Sequence, residues 1–435
     1  MNKFGEQDRR IVAVAVPAFF ALVSEPLMLL ADTAIVGRLG TSELGGLAVA
    51  SSVLLTVVGL CVFLAYGSTA TVGRLHGAGQ VRAAYDGAAG GLWLAVGLGV
   101  VLGALVAATR GPVSGALGSS RDVEGLASTY LLISASAVPA MLLVLAATGA
   151  LRGVLDLRTP LLVTVLANVL NVVLSLVLVH GLDLGIAGAA VGTAVAQWVA
   201  AGWLVLVVVR RARAAGSSGR PNVAGVVAAA RDGVPLLART ATLRAALLLG
   251  TAVAATFGDA PLAAHQIATS LVSFLAFAMD AVAIAGQTLT GRTLGAGDAD
   301  GTRALTRRMI AWGIGTGLAA GVLLLALAPF VGGWFTPDAA VHDALVPALV
   351  VVAAVQPISG VVFVLDGVLI GAGDGVYLAW AGLAVLLAYA PLALLAGSLG
   401  AGLAWLWAAY GVFQLARLVT LWLRQRGTTW MVLGA

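Results

Sequence analysis

Long apolar stretches separated by short polar connections run along the whole chain. A helix needs about 20 apolar residues to cross the hydrocarbon core of a bilayer, and twelve stretches reach roughly this length. They cover residues 11–37, 45–72, 86–109, 126–151, 159–180, 185–209, 229–257, 261–290, 308–332, 344–371, 375–397 and 401–423. The pattern predicts an all-α polytopic membrane protein, and the twelve predicted transmembrane helices are numbered here as spans 1 to 12.

Composition narrows the class of protein further. Of the 435 residues, 60% are hydrophobic and only 10% are charged. The connections leave no room for a nucleotide-binding domain, and the sequence contains no Walker motif, nucleophile elbow or metal-ligand spacing. The single cysteine, Cys61, excludes a disulfide within the chain. We therefore expect a secondary active transporter rather than an enzyme or a pump, without cofactor, metal, nucleic acid or obligatory protein partner.

The two halves of the chain repeat each other with an offset of 218 residues. The segment 73–79, Gly-Arg-Leu-His-Gly-Ala-Gly, returns at 291–297 as Gly-Arg-Thr-Leu-Gly-Ala-Gly. The Gly-x3-Gly-x2-Asp spacing at 149–156 returns at 367–374. With the offset reduced by one, Gln197 returns as Gln414. Internal duplication is typical of transporter folds, in which the substrate binds between the repeats.

Six spans in each repeat is an even number, so both copies have the same orientation in the membrane. We predict a lobe at 1–209 (spans 1–6), a lobe at 229–435 (spans 7–12) and a flexible cytoplasmic linker at 210–228. The glycines at 73–79, 149–156 and their repeats are interpreted as tight turns between helices.

Basic residues set the expected orientation. All but six of the 24 Lys and Arg residues fall in segments on the same side as the N-terminus. Three others, Arg38, Arg110 and Arg121, fall in connections on the opposite side. Such asymmetry predicts that both termini are cytoplasmic, in a multi-pass protein of the inner or plasma membrane.

Acidic residues within spans are costly in a bilayer and point to functional sites. In span 1, Glu25 and Asp32 are seven residues apart and share a helix face. Pro26 lies between them and lacks an amide hydrogen, so we expect a kink that acts as a hinge. The alternative is that Glu25 packs near backbone polar groups and Asp32 lies close to the outer interface.

Span 5 carries amide and hydroxyl side chains on one stripe, Asn168, Asn171 and Ser175. Gln197 on span 6 is a further candidate. These residues either contribute to a substrate or proton site or hold helices together by hydrogen bonds.

The second repeat carries different charges. Asp280 and Gln287 are seven residues apart on span 8, and Asp366 lies near the end of span 10. Span 7 contains Arg239 and Arg244, with Arg244 near the middle of the membrane. A buried unpaired arginine is too costly to expect, so we expect an ion pair with Asp280 or Asp366. The pair is either structural or a second substrate or proton site. Arg417, near the end of span 12, is expected to reach the cytoplasmic surface.

Several motifs resemble the DinF-like branch of the multidrug and toxic compound extrusion (MATE) family. The motifs are residues 30–40 (LADTAIVGRLG), residues 264–267 (AHQI) and the run Asp280, Gln287, Gly291. The resemblance covers essentially the whole chain. It implies a V-shaped protein of two six-helix lobes that alternates between outward- and inward-facing states and exports organic cations in exchange for protons or sodium.

The resemblance also implies roles for individual residues. In the proton-coupled branch, the aspartate at the position of Asp32 binds the proton beside the asparagine at the position of Asn171. Ser175 stands where some relatives carry a second aspartate. Asp366 matches an aspartate tied to sodium in another branch, but span 7 lacks the acid that completes that site. Proton coupling is therefore favoured over sodium coupling.

We predict a proton-coupled antiporter that exports a small organic cation or amphipathic drug across the lipid bilayer, with Asp32 as the proton site. Two alternatives use the same fold or superfamily. One is an exporter of organic anions such as citrate, with Arg244 as the anion partner, and the other is a lipid flippase.

Overall fold

The computed structural model describes residues 3–117, 120–220 and 222–434. Within these ranges the chain consists of helices, turns and short connections, without β-strands. Helices pair most of their backbone polar groups internally, which is the requirement for a segment that crosses a bilayer.

The first repeat contains eight α-helices. Their bounds are α1 Lys3–Val36, α2 Thr41–Leu60, α3 Phe63–Gly77, α4 Val81–Leu117, α5 Arg121–Ala135, α6 Val138–Gly153, α7 Arg158–Leu176 and α8 Gly185–Ala214. A π-helical turn, Val177–Gly181, extends α7. Span 2 thus consists of α2 and α3, and span 4 of α5 and α6.

The second repeat contains six α-helices, one for each of spans 7 to 12. Their bounds are α9 Val223–Ala255, α10 Asp259–Gly295, α11 Ala299–Phe335, α12 Ala339–Gly371, α13 Gly375–Ser398 and α14 Leu403–Arg426.

The twelve predicted spans are confirmed. Eleven helical stretches among the described residues are long and apolar enough to cross a membrane, and the pair α5–α6 makes the twelfth. This pair is bent by 52° at residues 136–137. The bend immediately precedes the start of α6, where Pro139 cannot donate a backbone hydrogen bond and restricts the residue before it.

The connection between the repeats is shorter than the predicted linker, 210–228. Helix α8 continues to Ala214 and α9 begins at Val223, so the non-helical part is 215–222, of which Pro221 lies outside the described residues. Arginines are good helix formers and favour a helix C-terminus, which explains why 210–214 stays helical. The Ser217 hydroxyl donates a 2.6 Å hydrogen bond to Asp86 on α4, so the connection is anchored rather than free.

The described residues form two compact units. One comprises Phe20–Val234, and the other comprises Met1–Phe19 with Pro235–Ala435. These units divide α1, whereas the predicted lobes kept it whole. In the second unit the Asp8 carboxylate accepts two 2.6 Å hydrogen bonds from Arg308 and a 2.9 Å bond from Trp312. This ion pair joins the first turns of α1 to α11.

The recurring 73–79 and 291–297 segments end helices α3 and α10, as predicted. Gly79 and Gly297 have φ values of +76° and +74°, the left-handed conformation that glycine adopts without strain. The next amide, that of Gln80 or Asp298, bonds to the carbonyl of Leu75 or Thr293. Each turn is therefore a Schellman cap that closes the helix C-terminus.

The Gly149 and Gly367 segments were predicted to be turns, and for these glycines the prediction is wrong. Both lie inside helices, α6 and α12. A Cβ atom on Gly149 would lie 2.3 Å from the Ala65 carbonyl oxygen, and one on Gly367 would lie 2.2 Å from that of Ala283. The glycines allow α6 to pack closely on α3 and α12 on α10, and the turns begin only after these helices end.

Replacement of Gly367 by Ala is expected to destabilise the protein by about 1–3 kcal/mol, because the added methyl group forces two helix backbones apart. Gly315 on α11 is a matched control, since its Cβ position meets nothing within 4 Å. Gly315→Ala should be neutral or stabilising by up to about 1 kcal/mol through helix propensity. Thermal unfolding in detergent measures both, and equal midpoints for the two variants would contradict the packing role.

Candidate functional site

Three of the residues predicted from the sequence meet in the Phe20–Val234 unit. Asp32, near the end of α1, is only 2% exposed, and Asn171 and Ser175 on α7 are fully buried. The Asn171 amide nitrogen donates to both carboxylate oxygens of Asp32, at 3.1 and 3.0 Å. The Ser175 hydroxyl donates to Asp32 Oδ1 at 3.3 Å. The spacing of four residues puts Asn171 and Ser175 on one face of α7, directed at the acid.

Two further residues extend this group and were missed in the sequence. The Thr193 hydroxyl on α8 donates to Asn171 Oδ1 at 3.2 Å. The Tyr130 hydroxyl on α5 lies 3.5 Å from Thr193 Oγ1. Since Thr193 has already donated its only hydroxyl proton, Tyr130 acts as the donor of this pair. All the bonds therefore run in one direction, from Tyr130 through Thr193 and Asn171 to Asp32.

A sequence signal for Thr193 did exist. It precedes Gln197 by four residues and so lies one turn away on the same face of α8. Gly192 beside it lets α8 approach α7, because a Cβ there would lie 3.0 Å from Ser175 Oγ. Gln197 itself is half-buried and is not part of the hydrogen-bonded group.

The candidates Asn168, Glu25 and Pro26 lie apart from the hydrogen-bonded group around Asp32. The Asn168 amide donates to the Ser24 carbonyl at 2.9 Å and to its hydroxyl at 2.7 Å, which joins α7 to α1. Glu25 is exposed, in contrast to the buried Asp32. Helix α1 continues through Pro26 without a break in its assignment, although proline leaves the carbonyl one turn earlier without its usual amide partner.

In the second unit Asp366 on α12 is 6% exposed and is held by two arginines. Arg239 on α9 donates through Nε at 3.3 Å and through Nη2 at 2.5 Å. Arg417 on α14 donates to the same carboxylate. The predicted ion pair between a span 7 arginine and Asp366 is present, but Arg239 makes it and Arg244 is exposed. It is five residues from Arg239, so the two side chains point to different faces of α9.

The expectation that Arg417 reaches the surface is wrong. Its side chain is 11% exposed and donates to Gln414 Oε1 at 3.1 Å. Gln414 in turn donates to Ser359 at 2.8 Å and to the Tyr410 hydroxyl at 3.2 Å. Helix α14 presents these groups to the interior of the unit, and the Asp366 carboxylate compensates the arginine charge.

The span 8 candidates lie on α10. Asp280 is half-buried and Gln287 is 3% exposed. The carbonyl oxygen of Gln287 faces Gly371, where a Cβ would lie only 2.2 Å away. This contact explains why glycine is needed at position 371, the second glycine of the 367–374 spacing.

Each repeat also carries an ion pair between the connection after its fourth span and the end of its sixth. Asp156 pairs with Arg211 at 2.6 Å, and Asp374 pairs with Arg424 at 2.6 Å. Burial raises the pKa of Asp156, but hydrogen bonds from Thr159 and Arg211 outweigh burial and hold this pKa below its ordinary value of 3.8. The two repeats thus share a structural clamp although their interior charges differ.

Among the described residues no group of three or more His, Cys, Asp or Glu side chains could hold a metal ion. The fold and this site define a class: a polytopic membrane protein built from two copies of a six-span unit, with one buried acid hydrogen-bonded in its first repeat.

Comparison with known proteins names the family. The MatE family profile matches residues 17–177 and again 235–395, and both ends of the second match lie 218 residues beyond the first. The chain therefore belongs to the MatE family, and the predicted internal repeat is confirmed. Members of this family are transporters, which agrees with the sequence interpretation.

The chain is similar to curated proteins over most of its length. It is 31% identical to Protein DETOXIFICATION 44, chloroplastic, of Arabidopsis thaliana, over 95% of this chain and 81% of that protein. It is 30% identical to the DNA damage-inducible protein F of Escherichia coli (strain K12), over 67% of this chain and 64% of that protein. The second similarity supports the predicted resemblance to the DinF-like branch.

Solved structures share the fold. The Vibrio cholerae MATE transporter VcmN in its bent form matches with a TM-score of 0.88 and 21% identity, covering 98% of each chain. A MOP superfamily transporter from Pyrococcus furiosus matches with a TM-score of 0.87 and 20% identity, covering 97% of this chain and 95% of that one. The predicted all-α fold of two six-span repeats is thus confirmed.

Proposed function

We propose that this protein is a proton-coupled antiporter that exports a small organic cation or amphipathic compound, with Asp32 as the proton-binding residue. A relative from Thermotoga maritima, 26% identical, carries the name probable multidrug resistance protein NorM, which supports an organic substrate. The observation that carries the proposal is the charge of the side chains that hydrogen-bond to each buried acid.

Asp32 is held by neutral groups, whereas Asp366 is held by cations. Asn171 and Ser175 stabilise an ionised Asp32 by hydrogen bonds alone. Protonation of Asp32 therefore breaks no ion pair. Protonation of Asp366 would leave Arg239 and Arg417 without their counter-charge. Of these two carboxylates, Asp32 is the one whose charge can change during a transport cycle at low cost.

Proton binding would change the contact between α1 and α7. An ionised carboxylate accepts hydrogen bonds only, but a protonated one must donate one. The Asn171 amide nitrogen cannot accept a hydrogen bond. The protonated Asp32 carboxyl group therefore donates to the Ser175 hydroxyl oxygen, which can accept one. The bidentate Asn171 contact is then weakened, and α1 is freed to shift, with Pro26 as its hinge. Proton binding drives this change because the proton binds one conformation more tightly than the other.

The Asp366 cluster supports protons rather than sodium as the coupling ion. A sodium site needs oxygen ligands with free lone pairs, and the Asp366 carboxylate already accepts hydrogen bonds from two guanidinium groups. The arginine charges would also repel a cation at this position.

We further propose that the protein lies in the inner or plasma membrane with both termini on the cytoplasmic side. The asymmetric distribution of arginine among the connections supports this orientation. Protons would then enter the Asp32 site from the outer side, and the substrate would be released to that same side.

Purified protein in proteoliposomes tests this function. An imposed outward gradient of ethidium should drive proton movement in the opposite direction, reported by a pH-sensitive dye in the lumen. Protein-free liposomes and a citrate gradient serve as controls. Proton flux driven by citrate but not by ethidium would overturn the proposal and favour an exporter of organic anions.

A further inference from the structure

The second unit contains a buried histidine at the place that corresponds to the Asp32 site of the first. With the 218-residue offset, Asp32 corresponds to Gly250 and Asn171 to Tyr389; with the 217-residue offset, Thr193 corresponds to Tyr410. A Cβ on Gly250 would lie 3.0 Å from the Tyr389 hydroxyl and 3.9 Å from Cε1 of His265. The imidazole of His265 therefore packs against the position that corresponds to Asp32 in the other repeat.

We propose that His265 is a second proton-binding site, in the second unit and separate from Asp32. It belongs to the AHQI segment, whose histidine has no role in the coupling mechanism described above. It lies on α10 and is 6% exposed.

Hydrogen bonds of Thr251 favour one tautomer of the His265 imidazole. Its Nε2 lies 3.3 Å from Thr251 Oγ1 and 3.5 Å from Thr269 Oγ1. The Thr251 hydroxyl donates its proton to the Leu247 carbonyl at 3.2 Å, so it can only accept from the histidine. The Thr251 contact favours a hydrogen on Nε2, which leaves Nδ1 with a lone pair.

This lone pair is what makes the site a base. Within the described part of the chain, Nδ1 of His265 is buried and has no hydrogen-bond partner. Burying such a group unsatisfied costs about 1–3 kcal/mol, and buried polar atoms are normally paired. Protonation of Nδ1 turns this unpaired acceptor into a charged N–H donor, which then needs an acceptor such as a water molecule.

The groups around His265 are aromatic rings and hydroxyls. Trp407 on α14 contacts the imidazole with ring centroids 5.3 Å apart, and Tyr410 packs behind it at 5.3 Å. Tyr389 on α13 and Tyr410 on α14 are titratable neighbours in this cluster, to which α12 contributes apolar side chains such as Leu349.

Protonation here has the opposite effect on charge from protonation of Asp32. It creates a cation among rings and hydroxyls, whereas at Asp32 it removes an anion. The aromatic faces can stabilise an imidazolium in part. A protonated His265 favours a conformation in which water reaches this cluster, and the closed cluster described here favours the neutral form. The site therefore responds to pH in its own right.

Nuclear magnetic resonance of ¹⁵N-labelled histidine tests this inference. The chain has four histidines, and a His76→Gln, His180→Gln, His342→Gln variant leaves His265 as the only imidazole. We expect the neutral Nε2–H tautomer at pH 9 and conversion to the imidazolium between about pH 5 and 8, the range in which histidine titrates. A spectrum that stays neutral down to pH 5 would overturn the proposal.

If the triple variant does not fold, each single variant removes one signal from the wild-type spectrum, and the remaining signal is that of His265. The same titration in the Asp32→Asn background separates the two sites. A His265 signal that still titrates there supports a site independent of Asp32, even if proton-driven transport itself proves absent. Loss of the titration in that background would show that the two sites are one coupled system and would contradict a separate site.

Discussion

Replacement of Asp32 by Asn is expected to abolish proton-driven transport and to leave the protein folded. Asparagine has the same shape and can still accept a hydrogen bond from Asn171, so the packing of α1 on α7 is kept. It cannot exchange a proton, so the two protonation states that drive the cycle no longer exist. Ethidium-driven proton movement in proteoliposomes should fall to the level of protein-free liposomes.

The same chemical change at an exposed acid provides the control. The Asp300 side chain is 97% exposed and makes only a 3.4 Å contact with Arg303, so Asp300→Asn should transport at the wild-type rate. Thermal unfolding of both variants in detergent checks that a loss of flux is not a loss of folded protein. Proton-driven exchange at the wild-type rate in Asp32→Asn would show that another group carries the proton.

The fold could be predicted from the sequence because it depends on features that the sequence displays directly. Apolar length identifies a membrane span without knowledge of its neighbours, and the recurrence of residues 73–79 at 291–297 reveals the duplication. The sequence is misread, or is silent, where a single residue decides geometry. Pro139 accompanies a bend within span 4, and Gly367 serves a contact between helices rather than a turn.

The group around Asp32 could be predicted only in part. Asn171 and Ser175 were found because polar residues at helical spacing in an apolar span form a recognisable stripe. Tyr130 and Thr193 are isolated polar residues on two other helices, and only the packing of those helices on α7 brings them to Asn171. No pattern within a single helix contains that information.

The arginines of the second unit show a different limit. Sequence reasoning required that a buried arginine be paired, and Asp366 is paired with Arg239 and Arg417. The sequence does not say whether Arg239 or Arg244 makes this pair, because position along a helix does not give rotation about its axis. Rotation decides which side chain faces the interior, and it is set by packing against helices far away in the sequence.

Replacement of Asp366 by Asn is expected to produce the largest loss of stability. Two buried guanidinium groups share this carboxylate, and each arginine side chain is only 11% exposed. An asparagine leaves both positive charges close together without a counter-charge. Removing one partner of a buried ion pair costs about 3–5 kcal/mol, so the variant should unfold at a markedly lower temperature in detergent or fail to be recovered as folded protein.

Charge-neutral variants separate this effect from a loss of packing. If repulsion and desolvation of the two arginines cause the instability, then adding Arg239→Gln and Arg417→Gln to Asp366→Asn should restore most of the thermal stability, because glutamines keep hydrogen-bonding groups in place without charge. Replacing buried ion pairs by neutral groups is often neutral in stability, which makes this recovery a fair expectation. An Asp366→Asn protein that unfolds at the wild-type temperature would mean that another group compensates the charges of Arg239 and Arg417. The argument that Asp366, unlike Asp32, cannot change its charge at low cost would then fail.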